Sequence, residues 1–489
     1  MMVEKPSSDA GSKPMQVLFN YNFNPEDIAD LNFQALYEMR RRDSCFAFAF
    51  EKDNRIYALR DHFGTVPLYF SLRGDEIVFS TTLDQLITPE SQLDVKGYKA
   101  YVAFGTAKIL PLFKGIGIVP PASVIEIDRR SKEMKVCYTY RFKKCKLSRF
   151  CTIGELAELL DRLLLQAVKR TIKYHRVGLY FSGIGTDSFI TAAYLRRLGV
   201  EVNAYTCSRW GQEGSEARYA PENAERAGVK KLFVDALNPE KVREALNKVI
   251  DVYKVPHGLP ESVGIASLWL HTPLSTEKQI YGAQGADTIT CTVGVQNVAY
   301  VYSFIPHFIR SRISNRLSGD VIDSYIKIYS KSLLNSSDMP PTIMGIIQST
   351  PGKIQKLSLA GMLICHSLGD GELLSAPVIN SGRLYSNPFY DVDVAELLLG
   401  LSLRHRLSFK PSVRQFLDKV VIRAIAKKYC YKEVVKKKGF TIPLEIYGID
   451  KELEGFEAPT NIPTDSRFRF AAYVFHQYCK FRNIKLGVI

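Results

Sequence analysis

The pattern of apolar and polar positions along the chain changes near residue 140. Between about residues 16 and 140, short runs of alternating apolar and polar residues are separated by turns. The paired runs lie at residues 44–64, 68–82 and 122–140. Lys52, Asp53 and Asn54 stand at the centre of the first pair, and such residues are typical of a hairpin turn. This region is therefore predicted to be mostly antiparallel β structure.

A basic stretch at residues 141–151 resembles a linker, and after it the apolar period becomes helical. Thr152 and Glu155 have the spacing of a capping box, in which both side chains satisfy backbone N–H groups of the first helical turn. The apolar positions that follow at helical spacing are Leu156, Leu159, Leu160, Leu163, Leu164 and Val168. These features predict an amphipathic helix that begins just after Thr152.

From this helix onwards, short apolar runs alternate with helical patterns. The predicted strands lie at residues 177–182, 202–207, 231–235 and 279–283. Alternation of strands and helices at these lengths indicates a parallel sheet with right-handed crossovers. The segment from about residue 320 to 489 is predicted to be mostly helical. The sequence thus predicts an α+β region followed by an α/β region.

Composition narrows the class of protein only slightly. Hydrophobic residues make up 46% and charged residues 24% of the 489 positions, which is ordinary for a soluble globular protein. The net charge of +15 favours anionic ligands such as nucleotides, pyrophosphate or RNA, although a generally lysine-rich proteome explains it equally well. The nine cysteines show no C-x-x-C spacing and no secretory segment is seen, so reduced thiols and a cytoplasmic location are expected. No apolar run approaches the roughly 20 residues that cross a bilayer, and no membrane partner is expected.

The stretch LYFSGIGTDSF, at residues 179–189, is the first candidate for chemistry. It places a predicted strand, a loop of small residues and a predicted helix in succession. Such a unit directs backbone N–H groups and a helix N-terminus at one point, where an anion can bind. The candidate donors to a pyrophosphate are Ser182, Gly183, Gly185, Thr186 and Ser188. A glycine-rich loop alone would be weak evidence, because many glycine turns bind nothing.

The Ser-Gly start and Asp-Ser end of this loop resemble the Ser-Gly-Gly-x-Asp-Ser loop of ATP pyrophosphatases, with one residue more. Further motifs follow the order seen in asparagine synthetases. In the first region they are CFAFAF at 45–50, RDHFGTVPLYF at 60–70, FSTTLDQL at 79–86 and the segment 101–123. In the second region they are GAQGAD at 282–287, SNPFYD at 386–391, KVVIR at 419–423 and KKKGFTIP at 436–443. The chain is identified as a member of the asparagine synthetase superfamily, which also holds β-lactam synthetases, carbapenam synthetases and lasso-peptide cyclases.

This resemblance implies two domains. Residues 16–142 would form an antiparallel, β-rich amidotransferase domain of the Ntn type. Residues 152–489 would form a Rossmann-like ATP pyrophosphatase domain, with a PP-loop and a helical tail. The implied activity is that of an AMP-forming ligase, which uses ATP and Mg²⁺ to adenylate a carboxylate before ammonia or another amine attacks the acyl-adenylate.

The resemblance also assigns roles to individual residues. Asp187 and Asp287 match the two aspartates that bind Mg²⁺ in the family, and Lys437 and Lys419 match two lysines that can stabilise transition-state charge. Adenine would lie over the second parallel strand and be recognised by the main chain. Those cofactor-binding positions are Tyr205 and Thr206, and Gly285 joins them from the GAQGAD loop.

Two departures from the family define what is unusual here. Glutamine-dependent members begin with a catalytic cysteine, whereas this sequence begins MMVEKPSS and has only about 44 residues before CFAFAF. The first domain is therefore expected to be a truncated, inactive amidotransferase remnant without glutaminase activity, in which Cys45 is a core thiol. The second departure is Gln284, which replaces the Glu or Tyr of relatives. An amide does not titrate, so Gln284 can act on the acceptor only through hydrogen bonds.

Three hypotheses about function stay open at this point. The first is a ligase that joins a small-molecule carboxylate to ammonia or a dedicated amine, with a homodimer as a candidate assembly. The second is an RNA-modifying amidating enzyme, for which the net charge and Arg40, Arg41 and Arg42 are the pointers. The third is a non-catalytic nucleotide-binding paralogue, which the longer loop and Gln284 favour.

Overall fold

The structure is a computed structural model of the chain. It describes residues 16–19, 32–39, 45–74, 76–143, 145, 147, 150–208, 216–365, 367–410, 415–432, 448, 449, 453, 463 and 465–484. All statements about structure below concern these residues.

The N-terminal region contains two antiparallel sheets. Its strands are β1 (Gln16–Phe19), β2 (Ala47–Lys52), β3 (Arg55–Arg60), β4 (Tyr69–Arg73), β5 (Glu76–Ser80), β6 (Ile116–Ile118), β7 (Ser123–Asp128) and β8 (Met134–Thr139). One sheet has the order β1-β2-β3-β7-β8 and the other the order β5-β4-β6. Helices α1 (Phe33–Met39) and α2 (Val95–Phe104) accompany them.

The predicted hairpins are confirmed in this region. Strands β2 and β3 pair from Ala47 opposite Arg60 to Lys52 opposite Arg55. The two residues between them, Asp53 and Asn54, have φ values of 51° and 61°, as the favoured two-residue hairpin turn requires. Strands β4 and β5 and strands β7 and β8 form the other two predicted pairs.

The turn after β3 buries two charged side chains, Arg60 and Asp61. The Arg60 guanidinium donates hydrogen bonds to the backbone carbonyls of Gly64, Val66, Lys108 and Val119. The Asp61 carboxylate accepts from the backbone N–H groups of Phe63, Thr65 and Val66. Buried charges are tolerated when such hydrogen bonds replace water, so these two side chains fix the turn.

The C-terminal region is built on a parallel sheet with the strand order β11-β10-β9-β12-β13. Its strands are β9 (Arg176–Tyr180), β10 (Glu201–Ser208), β11 (Lys231–Ala236), β12 (Gln279–Tyr281) and β13 (Leu384–Ser386). All four neighbouring pairs are parallel. The order in space reverses between β9 and β12, and the crevice beyond the carboxyl ends of such strands is where doubly wound sheets bind ligands.

Helices cover this sheet and form most of the remaining chain. They are α3 (Ile153–Thr171), α4 (Thr186–Arg197), α5 (Ala220–Ala227), α6 (Pro239–Tyr253), α7 (Glu261–His271), α8 (Ala286–Ile289), α9 (Gly294–Tyr302), α10 (His307–Ile313), α11 (Val321–Tyr329), α12 (Pro341–Ser349), α13 (Lys353–Ala360), α14 (Ser367–Asn380), α15 (Val392–Gly400), α16 (Leu403–Arg406), α17 (Val420–Lys428) and α18 (Ser466–Phe481). The capping box of Thr152 and Glu155 is confirmed at the start of α3. None of the helices in the described part of the chain is long and apolar enough to cross a membrane.

The predicted helical tail also contains β structure. Strand β13 adds the fifth strand to the parallel sheet, and β14 (Leu407–Lys410) pairs with β15 (Gln415–Asp418) as an antiparallel hairpin. These strands have only three or four residues, too few for a period of two to stand out from the helical pattern around them. They can be recognised as strands only from the segments with which they pair.

The N-terminal and C-terminal regions pack closely together. Glu396 of α15 accepts hydrogen bonds from Tyr140 Oη at 3.1 Å and from the backbone N–H of Lys143 at 2.5 Å. The rings of Phe63 and Tyr390 lie 5.4 Å apart across the same boundary. The stretch after residue 140 is therefore a packed connection where the structure describes it, while the exact domain limits stay a prediction.

Candidate active site

The loop after β9 turns sharply with the help of two glycines. Gly183 has a φ of 82°, and a Cβ atom there would lie 2.8 Å from the Ala220 side chain. A Cβ atom on Gly185 would overlap the Ser182 hydroxyl, which accepts a hydrogen bond from the Gly185 N–H at 2.8 Å. Helix α4 starts directly after Gly185. The extra residue of this loop is thus accommodated in a compact turn at a helix N-terminus.

Two side chains from outside the loop hold its backbone carbonyls. Asn223 Nδ2 donates to the Gly183 carbonyl at 2.8 Å, and Tyr431 Oη donates to the Ile184 carbonyl at 2.5 Å. Because both carbonyls are held by buried side chains, the loop is preorganised. The predicted donors Thr186 and Ser188 are buried beside it, and their hydroxyls bond to Asp187 Oδ1 and the Gly185 carbonyl.

The second loop, residues 282–287, follows β12 on the other side of the switch point. Gly285 has a φ of 97°, and a Cβ atom there would lie 2.7 Å from the Tyr390 ring. The Gly282 N–H donates to the Ser386 carbonyl, and Asn387 Nδ2 donates to the Gln284 carbonyl, both at 2.9 Å. The segment that carries the SNPFYD motif therefore shapes the loop that carries Asp287.

Lys419 connects the two loops. Its ammonium lies 2.6 Å from Asp187 Oδ2 and 2.8 Å from Asp287 Oδ1. The Lys419 side chain is only 2% exposed, and its backbone has a φ of 52°, a left-handed conformation that costs energy for a residue with a side chain. Three predicted site residues that are far apart in sequence are thus in direct contact.

Electrostatics keep the Lys419 side chain charged. Burial by itself would lower the pKa of Lys419, but the adjacent carboxylates of Asp187 and Asp287 outweigh it and raise that pKa above its ordinary value. A permanent cation therefore lies at the carboxyl ends of β9 and β12. Such a cation stabilises the negative charge that develops on a phosphate or an oxyanion.

The donor set also fits Mg²⁺. Asp187 and Asp287 reach the same Lys419 Nζ atom, so their carboxylates face a common point. Oxygen atoms are the ligands that Mg²⁺ prefers, and it is commonly held by one or two carboxylates together with substrate phosphates and water. No group of three or more His, Cys, Asp or Glu side chains suited to a metal occurs among the described residues. Two carboxylates would then contribute only part of the coordination shell.

The Gln284 side-chain amide, in the same loop as Asp287, forms hydrogen bonds within the described chain through its nitrogen only. Its Nε2 atom donates to Tyr385 Oη and, at 3.5 Å, to the Gly371 carbonyl. The carbonyl can only accept, so this end of the amide is the nitrogen. Gln284 Oε1 is buried and has no hydrogen-bond partner within the described chain. A Cβ atom on Gly282 would overlap both this oxygen and the Tyr385 hydroxyl, so only glycine fits at this position. Burial raises the pKa of Tyr385 well above its ordinary value and keeps its hydroxyl protonated.

The strand positions chosen for adenine have buried side chains. The Tyr205 hydroxyl bonds to Glu277 Oε1 at 2.8 Å, and its ring stacks on Phe233 with centroids 5.0 Å apart. Thr206 is also buried, in the next position of β10. Neither side chain faces the crevice as a free group, so the predicted recognition of adenine would have to use the main chain, as proposed from the sequence.

Not every predicted site residue can be placed, and some contributors had no sequence signal. Lys437, with the rest of residues 433–447, lies outside the described residues, as do Arg40, Arg41 and Arg42. The side chains that support the loops were missed: Asn223, Tyr431 and Tyr385. Only Tyr385 had a usable signal, since it directly precedes the SNPFYD motif.

Comparison with known proteins matches both regions of the chain. Residues 37–140 match the glutamine amidotransferase domain family, and residues 159–303 match the asparagine synthase family. Asparagine synthetase [glutamine-hydrolyzing] 1 of Bacillus subtilis (strain 168) is 22% identical over 233 residues, which cover 45% of this chain and 35% of that protein. The aligned part thus spans about a third of the length of this relative.

Among solved structures, the NMN synthetase from Francisella tularensis is similar over 53% of this chain and 99% of that chain. The sequence identity is 13% and the TM-score is 0.21. A similarity this low supports no conclusion about fold or function.

Proposed function

Because the chain belongs to the asparagine synthetase superfamily and has an amidotransferase-type N-terminal domain, we propose that it is an AMP-forming ligase. It would adenylate a small-molecule carboxylate with ATP and transfer the acyl group to ammonia or another amine. The observation that carries this proposal is the contact of Lys419 with both Asp187 and Asp287 at the switch point of the parallel sheet. Burying charged groups costs free energy unless they pair with each other or with a ligand.

The first half-reaction uses the loops on both sides of the switch point. The substrate carboxylate attacks the α-phosphorus of ATP, the bond from the α-phosphorus to the bridging oxygen breaks, and pyrophosphate leaves. The N-terminus of α4 and the loop hydroxyls would bind the pyrophosphate. Lys419 would stabilise charge on the phosphoryl oxygens. Mg²⁺, when bound by Asp187 and Asp287, would neutralise part of the pyrophosphate charge.

The second half-reaction needs an amine beside the acyl-adenylate. Gln284 Oε1 is a buried acceptor with no partner in the described chain. It would accept a hydrogen bond from an N–H group of the incoming amine and so position the amine. Because the amide cannot take up a proton, the amine must attack in its neutral form, and the proton that it loses after the attack must go to another acceptor, such as solvent or the departing AMP. Attack on the acyl carbon then forms the amide and releases AMP.

We propose further that glutamine is not the source of the amine. The matched amidotransferase-type segment contains two cysteines, Cys45 and Cys137. Cys137 Sγ donates to the Val124 carbonyl at 3.6 Å, which favours the unreactive thiol form, and Cys45 lies two residues before strand β2. Glutamate release from glutamine should not exceed that of a heat-inactivated control. Clear release above the control would contradict this part of the proposal.

The central test is exchange of labelled pyrophosphate into ATP across a panel of carboxylates, including the common amino acids. Exchange that depends on one carboxylate, followed by AMP formation when ammonia or an amine is added, is the expected result. If ATP binds but neither exchange nor AMP formation occurs with any pair, the non-catalytic paralogue becomes the better account. Co-purification of RNA with carboxylate-independent AMP formation would instead favour the RNA-modifying alternative.

A further inference from the structure

One surface away from the sites described above exposes an unusual number of large apolar side chains. Between residues 298 and 313, six of them are 40–65% exposed, whereas exposed side chains of this kind are scattered over the rest of the described chain. They are Val298, Val301, Phe304, Phe308, Ile309 and Ile313. We call them the α9–α10 face, because they lie on these two helices and, in the case of Phe304, on the turn between them. Contiguous exposed apolar surface of this kind usually marks an interaction site.

Helix α10 is oriented with its polar side inwards. Arg310 is its buried residue and donates to the Gly319 carbonyl at 3.1 Å. At 100° per residue, Phe308 and Arg312 lie on the side of the helix opposite Arg310, Ile309 lies on its flank, and Ile313 is exposed at the C-terminal end of the helix. An ordinary surface helix buries its apolar side. Here the fold anchors the helix through an arginine and presents aromatic and aliphatic groups to the outside.

The segment that carries this face has charged residues of one sign. No Asp or Glu occurs between residues 288 and 319, while Arg310, Arg312 and Arg316 do. Lys353 adds a cation from α13: its ammonium donates to the Ser303 carbonyl at 2.9 Å and lies 4.7 Å from the centre of the Phe304 ring. An occupant must therefore be both anionic and able to accept apolar side chains.

We propose that the α9–α10 face binds the surface of a membrane that contains anionic phospholipids. Phe304 and Phe308, 65% and 64% exposed, project far enough to enter the boundary between headgroups and acyl chains. Arg312 and Arg316 can lay their stems along the apolar groups and bring their guanidinium groups to lipid phosphates. The expectation of no membrane partner rested on the lack of a spanning segment, and peripheral binding requires none.

Two other occupants fit the face less well. A second copy of the chain around a two-fold axis would bring the arginines of one copy against the same arginines of the other. Single-stranded RNA would stack its bases on aromatic rings, but four of the six apolar side chains are aliphatic. An anionic lipid surface can take up the apolar side chains and bind the basic ones at the same time. The proposal is independent of the ligase activity, because none of these residues belongs to the proposed active site.

Sedimentation of the full chain with vesicles tests the proposal. Binding to vesicles of phosphatidylcholine mixed with phosphatidylglycerol should exceed binding to phosphatidylcholine alone and should weaken with salt. The double variant Phe304→Ser/Phe308→Ser should lose about 100-fold in affinity, at about tenfold per inserted ring. The double variant Arg312→Gln/Arg316→Gln should lose about 25-fold, at about fivefold per cation.

Matched controls come from exposed residues elsewhere on the chain. Phe150→Ser removes an 89% exposed ring, and Lys230→Gln/Lys231→Gln removes two exposed cations; neither should change vesicle binding. Absence of vesicle binding, or equal losses in variants and controls, overturns the proposal. Dimerisation or RNA binding that Phe304→Ser/Phe308→Ser abolishes, without vesicle binding, overturns it in favour of that other occupant. An unchanged thermal midpoint establishes that the variants are folded. The Arg312→Gln/Arg316→Gln variant tests the same face independently of the phenylalanine variant.

Discussion

The two halves of the chain both bury charged side chains beside a turn, but they satisfy these charges in different ways. In the N-terminal half, Arg60 and Asp61 are saturated by backbone carbonyls and backbone N–H groups of the surrounding turns. In the C-terminal half, Lys419 is held by the side chains of Asp187 and Asp287. Main-chain partners are part of the fold and cannot be released, whereas side-chain carboxylates can exchange one cation for another.

This difference distinguishes a cluster that is enclosed by the main chain from one that is held by side chains and is partly open to solvent. The Asp287 side chain is still 37% exposed, so a ligand can reach the second cluster from the crevice. The strained backbone of Lys419 and the positive φ of Gly285 are found on the same side. Strain of this kind persists where function requires a fixed geometry. The N-terminal cluster therefore supports the fold, and the C-terminal cluster is the one expected to take part in chemistry.

The largest effect is expected from the carboxylates of the C-terminal cluster. Asp187→Asn and Asp287→Asn should each reduce carboxylate-dependent ATP–pyrophosphate exchange by roughly 10³-fold or more, because pyrophosphate charge would no longer be neutralised. Exchange is measured on preparations whose folding is verified by circular dichroism. Asp161→Asn is the matched control, since Asp161 is also buried and paired with a lysine, Lys428, outside the site. Near wild-type exchange in Asp287→Asn would remove the metal assignment.

A second prediction concerns the lysine that the structure does not describe. If Lys437 acts only in the transition state, Lys437→Ala should lower the rate about 10²- to 10³-fold and leave ATP affinity nearly unchanged. Lys436→Ala and Lys438→Ala are the neighbouring controls. Rate constants and the dissociation constant of ATP are measured separately for the three variants. Equal and small effects in all three would show a solvated basic patch instead of a catalytic lysine.

The N-terminal cluster should respond in stability instead of activity. Arg60→Leu leaves several buried carbonyls without a donor and is expected to cost about 3 kcal/mol of folding free energy, seen as a lower thermal midpoint. The exchange rate per folded molecule should stay unchanged. Arg129→Leu, which removes an exposed arginine paired with Glu51, should change the midpoint little. A selective loss of exchange in Arg60→Leu would break the distinction between the clusters.

The smallest effect is expected at Gln284. Gln284→Ala should raise the KM for ammonia about tenfold, the value of one lost hydrogen bond, and leave the exchange reaction intact. With Gln284 present, the amidation rate at low ammonia should rise about tenfold per pH unit below the pKa of ammonium, since the enzyme's own amide does not titrate. Gln284→Glu introduces a titrating group and should alter this profile. An unchanged KM in Gln284→Ala would exclude contact with the amine.

Much of the local structure could be predicted from the sequence, because it depends on interactions between residues that are close together along the chain. The hairpin at Asp53 and Asn54 and the capping box at Thr152 and Glu155 depend on residues within a few positions of each other. The alternation of apolar runs predicted strands β9 to β12 for the same reason. The pairing of Asp187 with Asp287 in one site came from motif resemblance, and the structure brings both carboxylates to one ammonium.

Other features were decided only by the tertiary structure, because they depend on which distant segments meet. Asp187 and Lys419 are 232 positions apart, and the order of the parallel strands brings them together. Tyr385 reaches Gln284 because the three-residue strand β13 pairs with β12, which no local pattern could indicate. The apolar residues 298–313 have the composition of a core segment. Only the packing of Arg310 against the protein turns Phe308 and Ile309 outwards, since sequence sets the period of a helix but not the side that its neighbours cover.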